Sequence, residues 1–314
     1  MSLRVKLAAV QAAPVYLDRK ATVAKVVHLV TEAAAGGANV IVFPEAFIPA
    51  YPDWIWRVPT SDGALQDAYF QRWLENAVEV PGPDTEAIGK AARQSKAYVV
   101  VGINERVTRR GTIYDTILFF GPDGSLLGTR RKLMPTSAER VVWGMGDGST
   151  LDVYRTPYGG LGGLICWESY MPLARFAMYA QGIDIYCAPT WIWGNDEGWQ
   201  ATLRHIALEG RVVVVSAAIA NRTENVPADL PARDSLYGEP GWATPGGSVI
   251  VGPDGTMLAG PLFEAEDILT AEIDLDAMAA ARRTLDVAGH YARPDVFKLV
   301  VNRKANPGIR FVDE

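Results

Sequence analysis

GGLGGLICWESYMPLARF, residues 159–176, decides the fold because its period changes half-way along. Gly159, Gly160, Gly162 and Gly163 permit close backbone approach, Leu164 and Ile165 end an apolar strand, and Cys166 falls where the strand stops. From there Leu173, Phe176, Ala177 and Ala180 recur at helical spacing, with Pro172 tolerated in the first turn and Gly182 closing the helix. A thiol at the mouth of a helix N-terminus sits in positive potential, which is expected to lower its pKa and favour the thiolate. The backbone N–H groups that follow are placed to hold an oxyanion. Taken alone, a free cysteine is more often a buried structural residue; its surroundings weigh against that here.

Working outward, VKLAAVQ (5–11) reads as a strand, and Arg19 to Ala35 as a helix terminated by Gly36 and Gly37. The run Val40 to Phe43 is apolar without alternation, as expected for a strand covered on both faces, and Pro44 ends it. Glu45 therefore stands at a strand's carboxyl end, where a charge is out of place unless paired or used. The following AYPDWIWRVP is too aromatic for an ordinary solvated loop. Helices are expected at about 64–76 and 84–94, then a buried strand in AYVVVGI. IYDTILFFG and SLLGTRRKL form a hairpin across Pro122, Asp123 and Gly124, and SVIVGPDGTMLAG repeats the pattern around Pro253, Asp254 and Gly255. Either the chain has two related halves, each a mixed sheet plus helices, or a common turn recurs by chance. DIYCAP, a helix from about Glu197 to Glu209 and the strand RVVVVSAAIA continue an alternation that argues for an α/β layered fold. Glu224 to Trp242 reads as a long surface loop rather than a boundary. We thus expect one domain over 1–285 and, where periodicity fades, a C-terminal arm over 286–314 lying against a neighbouring subunit.

Composition excludes several classes. Among 314 residues, 49% are hydrophobic and 21% charged, which describes a core-rich globular chain. A net charge of -6, with no basic run longer than Arg130, Arg131, Lys132, argues against nucleic acid as a partner. The longest apolar run, about Val212 to Ala220, is roughly half of a membrane span, and no leader's apolar region precedes Gln11, so the expectation is a cytoplasmic protein with no membrane partner. Cys166 and Cys187 make neither a disulfide framework nor a zinc site, and His28, His205 and His290 are too scattered for a metal site.

Glu45, Lys132 and Cys166 all fall at the carboxyl ends of expected strands, where sites assemble in layered α/β folds. Together they have separable jobs: a carboxylate to take the thiol proton and activate water, an ammonium to stabilise developing negative charge, and a sulfur to attack an electrophilic carbon. Singly, each charge is more often just exposed.

FPEAF, RRKLMPT and ICWES, in that order, resemble the three catalytic motifs of the carbon–nitrogen hydrolase (nitrilase) superfamily, and the likeness runs from the first strand to GHYARPDV. The resemblance implies a four-layer α-β-β-α sandwich of two mixed sheets flanked by helices. It implies Glu45 as general base, Lys132 as charge stabiliser and Cys166 as nucleophile, and Glu139 as the second glutamate, which positions substrate and Lys132. Trp167 and Glu168, with GDGS at 146–149, resemble the nitrilase branch. That branch implies hydrolysis of a small organic nitrile to the carboxylic acid and ammonia, through a thioimidate and a thioester, with amide as a minor product. It implies no metal or organic cofactor, and a homo-oligomer, dimer or longer spiral. An amidase or carbamoyl-amine hydrolase with the same triad is the alternative; from other classes, a non-catalytic scaffold and a Cys–His hydrolase fit less well. Glu168 also reads as an acid placed near a helix N-terminus. Two departures touch substrate range: Arg130 where nitrilases commonly carry His, and the tryptophan-heavy PTWIWGND (189–196). Trp54, Trp191 and Trp167, with Trp56 and Trp193, are candidates to line a substrate pocket or to fill the core. Cys187 reads as buried and inert, and His205 as packed or on the surface.

Overall fold

The computed structural model describes residues 4–107, 111–194 and 196–306. Its first half supplies strands β1 (Arg4–Gln11), β2 (Val40–Val42), β3 (Tyr98–Arg106), β4 (Ile113–Phe120) and β5 (Leu126–Arg131), with helices α1 (Arg19–Ala35), α2 (Gly63–Glu75) and α3 (Pro83–Ser95). Its second half supplies β6 (Tyr154–Thr156), β7 (Gly159–Gly163), β8 (Ile183–Cys187), β9 (Val213–Ser216), β10 (Ala220–Arg222), β11 (Trp242–Val251), β12 (Met257–Phe263) and β13 (Asp267–Asp274), with α4 (Pro172–Ala180), α5 (Glu197–Gly210), α6 (Arg233–Tyr237) and α7 (Leu275–Ala281). One sheet has the order β13-β1-β2-β3-β4-β5; the other runs β10-β11-β9-β8-β7-β6, with β12 on β11.

The two-residue period of a strand decides the layers. Along β1, Val5, Leu7 and Ala9 point between the sheets, where they meet Val40, Val42, Val100, Ile117 and Phe119 of their own sheet and Leu161, Ile185, Val213, Val215 and Ile250 of the other. The alternate residues Ala8, Val10, Ile41, Val99 and Val101 face Val23, Val26 and Val30 of α1 and Ile88, Ala91 and Ala92 of α3. On the far side, Tyr186, Val214 and Val249 pack under Met178 of α4 and Leu203 and Ile206 of α5. Strands buried on both faces read as unbroken apolar runs, as Val40 to Phe43 did. The result is the expected α-β-β-α sandwich. Asp18 caps α1 by accepting from the Ala21 N–H, and Pro83 and Pro172 open α3 and α4, where no N–H partner is missed.

The repeated Pro-Asp-Gly turn is structural. Gly124 (φ 86°) and Gly255 (φ 80°) turn the hairpins β4–β5 and β11–β12, and in each sheet three parallel strands are flanked by such a hairpin on one side and by one antiparallel strand on the opposite edge.

Two expectations are corrected, and two elements were not foreseen. RVVVVSAAIA is two strands, because between Ser216 and Ala220 the ladder breaks down to isolated bridges, Ala218 with Thr190 and Ile219 with Ala12. Glu224 to Trp242 is more than a surface loop: it holds α6 and buries Leu230 and Tyr237. β13 and α7 were not anticipated; β13 is an edge strand, half exposed, so its apolar alternation is weak, yet it pairs with β1 over its whole length. Residues 286–306 form no helix or strand, and Asp152 pairs with Arg303 while Asp147 accepts from the Asn306 N–H at 2.6 Å. The end of the expected arm, 307–314, and Asn195 of the tryptophan-rich segment lie outside the described residues. Among the described residues no helix is long and apolar enough to cross a membrane.

Candidate active site

The carboxyl ends of β2, β5 and β7 meet at one point between the sheets. Past β2, Phe43 still donates to the Val100 carbonyl at 2.8 Å, and Pro44 then turns the chain so that Glu45 faces inward. Gly102 on β3 makes that turn possible: a Cβ there would collide with the Pro44 carbonyl oxygen and with Ala46. Lys132 is the first residue beyond β5, its N–H bonded to the Asp115 carbonyl at 2.8 Å. Cys166 opens a short 3-10 turn, Cys166–Tyr170, and Glu139 rides on another, Ser137–Val141. Ala46 (φ 47°), Ser137 (φ 47°) and Cys166 (φ 49°) are all left-handed without being glycine. Such backbone costs about 1–3 kcal/mol per residue and persists only where its surroundings over-determine it.

Lys132 is wholly buried. Its Nζ lies 2.6 Å from Glu45 Oε1, 2.8 Å from Glu139 Oε2 and 3.4 Å from Asp115 Oδ2, with the Trp143 ring centroid at 5.3 Å. Glu45 Oε2 accepts the Trp191 N–H at 2.8 Å. Glu139 accepts from the Tyr51 hydroxyl at 2.7 Å and from the Thr136 N–H at 2.6 Å, and Trp56 Nε1 donates to the Tyr51 oxygen at 3.0 Å. Cys166 Sγ accepts from Thr190 Oγ1 at 3.0 Å and faces the Trp191 carbonyl at 3.6 Å.

The electrostatics of this chamber follow from burial. Burial raises the Glu45 pKa above the ordinary carboxylate value, opposed by Lys132. Burial works to lower the Lys132 pKa, yet Glu45, Glu139 and Asp115 together carry it well above its usual value. For Cys166 the expectation is overturned. Burial, then the charge of Glu45, push its thiol well up, against Lys132 and the Thr190 hydrogen bond. The helix argument failed because α4 starts only at Pro172, so the sulfur heads a single 3-10 turn among carboxylates. A neutral thiol beside a buried carboxylate of raised proton affinity suits attack assisted by a general base; of the N–H groups opening the turn, that of Cys166 is given to the Pro189 carbonyl at 2.9 Å and that of Glu168 to the Ile165 carbonyl at 3.0 Å.

The Carbon-nitrogen hydrolase family model matches residues 6–283. The chain belongs to that family. It is 47% identical over 311 residues to an aliphatic nitrilase of Sinorhizobium fredii (strain HH103), covering 97% of each chain. It is 44% identical to a bifunctional nitrilase/nitrile hydratase of Lupinus angustifolius, covering 96% of this chain and 88% of that one. Among solved structures it resembles a Saccharomyces cerevisiae member of branch 10 of the nitrilase superfamily, with a TM-score of 0.72 at 20% identity over 92% of this chain and 96% of that one. It also resembles a carbon-nitrogen hydrolase from Helicobacter pylori G27, with a TM-score of 0.71 at 22% identity over 93% and 97%. The two structures speak for the fold.

In this carbon–nitrogen hydrolase the other singled-out residues divide. Trp191 stacks on Tyr51 with centroids 4.0 Å apart, so its ring borders the chamber wall while its backbone holds Glu45. Trp54 instead packs on Tyr69 and Trp73 in the helix-side core. Trp167 is half exposed and lies edge-on to Tyr170. The Trp191 ring meets Trp193 at 4.9 Å, beside a cleft of about 420 Å³ lined by Arg57, Trp193, Tyr237 and Trp242 among others. Glu168 serves the turn as expected, accepting the Ile165 N–H at 2.8 Å, but it also takes the Leu133 N–H and Arg130 Nη2, the latter at 2.7 Å. It thereby clasps the segment after Lys132 to the segment before Cys166. Cys187 is buried with its thiol pushed up by burial alone, and His205 is on the surface beside Glu209. Among the described residues, no group of three or more His, Cys, Asp or Glu is arranged to hold a metal. Residue-level reading missed Tyr51, Thr190 and Asp115; only the position of Thr190 just past β8 signalled a role.

Proposed function

We propose that this protein is a nitrilase, hydrolysing a small organic nitrile to its carboxylic acid and ammonia, with amide as a minor product. The names of its relatives support the reaction: an aliphatic nitrilase at 47% identity and a bifunctional nitrilase/nitrile hydratase at 44%. The observation that carries the assignment is the Lys132 ammonium held at 2.6 and 2.8 Å between Glu45 and Glu139 in the buried chamber that Cys166 enters.

Cys166 is the nucleophile. Its S–H proton passes to Glu45 as sulfur bonds to the nitrile carbon, and that proton moves on to the nitrile nitrogen, giving a thioimidate. Glu45 then deprotonates water, whose oxygen adds to the same carbon, and passes that proton to the nitrogen as the C=N double bond becomes single; the tetrahedral species is stabilised by Lys132 and the Trp167 N–H. As the C–N bond breaks, Glu45 carries the hydroxyl proton to nitrogen, which releases ammonia and leaves a thioester; breaking C–S instead, with that proton going to sulfur, releases the amide. A second water, activated by Glu45, cleaves the thioester and returns the proton to sulfur. Glu139 positions Lys132, and the Trp191 ring borders the substrate. We further propose a cytoplasmic homo-oligomer. The support for the oligomer is the exposed apolar surface of Trp167 and Tyr170 in the turn before α4 and of Leu173 in its first turn, and of Phe297 and Val300 in the terminal segment.

The test is ammonia release from a panel of aliphatic, aromatic and arylaceto nitriles and their matching amides, with acid and amide quantified. Nitriles should exceed amides as substrates, and Cys166→Ala should bring turnover to background. Faster turnover of amides, or retained activity in the variant, would refute the reading.

A further inference from the structure

Four ionisable side chains crowd the chamber below the sulfur: one ammonium, Lys132, and three carboxyls, those of Glu45, Glu139 and Asp115, all buried. With every carboxyl ionised the cluster would carry two uncompensated negative charges out of water, which a protein avoids by keeping a proton. The hydrogen bonds indicate where that proton sits. Glu45 receives Lys132 Nζ and the Trp191 N–H; Glu139 receives Lys132 Nζ, the Tyr51 hydroxyl and the Thr136 N–H. Asp115 receives none: among the described residues neither of its oxygens has a hydrogen-bond donor, and Lys132 Nζ stays 3.4 Å away.

Each element packed on Asp115 has its donors committed elsewhere. On β3, Asn104 is its cross-strand partner, but the Asn104 amide donates to the Ala46, Ile48 and Ala50 carbonyls and its oxygen accepts from Trp143 Nε1. Beyond β5 stands Lys132, from the segment after β2 comes Glu45, from the 3-10 turn Glu139, and above them Cys166. On β4 itself, Thr116 points away and bonds Glu105.

We propose that Asp115 is a neutral carboxylic acid in the working enzyme, donating its O–H to the Glu45 carboxylate, and that it is thereby a positioning residue for the base. The chemistry around it agrees: burial, then the Glu45 charge, hold its proton on well above the usual range, and the two carboxyls crowd the same ammonium, at 3.4 Å and 2.6 Å from Lys132 Nζ. The donated bond orients Glu45 and moderates its proton affinity, so that a proton taken from sulfur is passed on and not retained.

This inference rests on Glu45 being the base, and its test has an arm independent of activity. Infrared spectra of the native enzyme at pH 7 in deuterium oxide should show the carbonyl band of a neutral, buried carboxylic acid. Asp115→Asn, which keeps a donor, should abolish that band and keep kcat/KM within a few-fold. Asp115→Leu, which has none, should lower kcat by about tenfold or more with KM little changed and shift the acid limb of the pH profile, a part of the roughly 10²–10⁴-fold that a general base supplies. Asp53→Asn removes another buried acid whose proton affinity burial raises, and should leave the band in place. A native spectrum without the band, a band that persists in Asp115→Asn, or one that disappears in Asp53→Asn would overturn the proposal. If the infrared result holds while Cys166→Ala stays active, it is the reaction that is misassigned and not the proton.

Discussion

Glu168→Ala should be among the most damaging single changes outside the chamber, and the structure says by how much. The Glu168 and Arg130 side chains are 0% and 1% exposed and meet at 2.7 Å, while the same carboxylate takes the backbone N–H groups of Ile165 and Leu133. Removing one partner of a buried ion pair costs about 3–5 kcal/mol, because the other charge is left without compensation. Each orphaned N–H adds up to about 1–3 kcal/mol, not additively, against a total stability of about 5–15 kcal/mol. At roughly 2–4 °C per kcal/mol, with a long chain at the low end, the melting temperature should fall by about 6–10 °C. Because the clasp joins the Lys132 and Cys166 segments, kcat should fall too. Calorimetry and steady-state kinetics of Glu168→Ala, Glu168→Gln and the double variant Arg130→Met, Glu168→Leu read the effect. Glutamine, which keeps an acceptor oxygen, should lose less, and the double variant, which leaves no unpaired charge, should recover part of the stability. A melting temperature for Glu168→Ala within about 2 °C of native would refute the reasoning.

Other outcomes follow from the same cluster. Lys132→Ala should lower kcat/KM by on the order of 10²-fold or more, as loss of a preorganised charge does, and steady-state ammonia release measures it; a drop of only a few-fold would contradict the role. Since burial raises Glu45, the acid limb of kcat/KM against pH should lie above the ordinary carboxylate midpoint, about 4.3, and a limb at or below it would count against Glu45 as base. Since the Cys166 thiol is pushed up, alkylation by iodoacetamide should accelerate only well above the usual thiol range; fast thiolate-like labelling at pH 6 would contradict the geometry. Asp115 gives a linkage prediction. Its folded pKa is raised, so above the unfolded value near 3.9 the native state holds a proton that the unfolded chain releases, and native stability is eroded by about 1.4 kcal/mol per pH unit. Asp115→Asn escapes that erosion, so its melting temperature relative to native should climb from pH 4 to pH 7; a constant difference would refute it.

Much of this was legible in the residues because the signals were local. The apolar run before Pro44 placed Glu45 at a strand end, the Pro-Asp-Gly turn set β4 against β5 and so delivered Lys132, and the glycine-rich strand into ICWES delivered Cys166. What escaped depends on pairing and burial. Asp115 lies mid-strand, and only its register opposite Asn104 and its neighbour Lys132 bring it under Glu45. The state of the Cys166 thiol was misjudged because a helix terminus is visible in sequence while two carboxylates from distant loops are not. Trp54 and Trp191 look alike along the chain, yet one packs on α2 and the other stacks on Tyr51. Arg130 looked like a departure from pattern; in space it is the counter-ion of Glu168.

The most direct test of the whole account is rapid-quench mass spectrometry of the Cys166 peptide during turnover of a nitrile. The account predicts a covalent adduct on that sulfur that forms before ammonia appears and decays at the turnover rate. Full-rate ammonia release with Cys166 unmodified at every time point would contradict it.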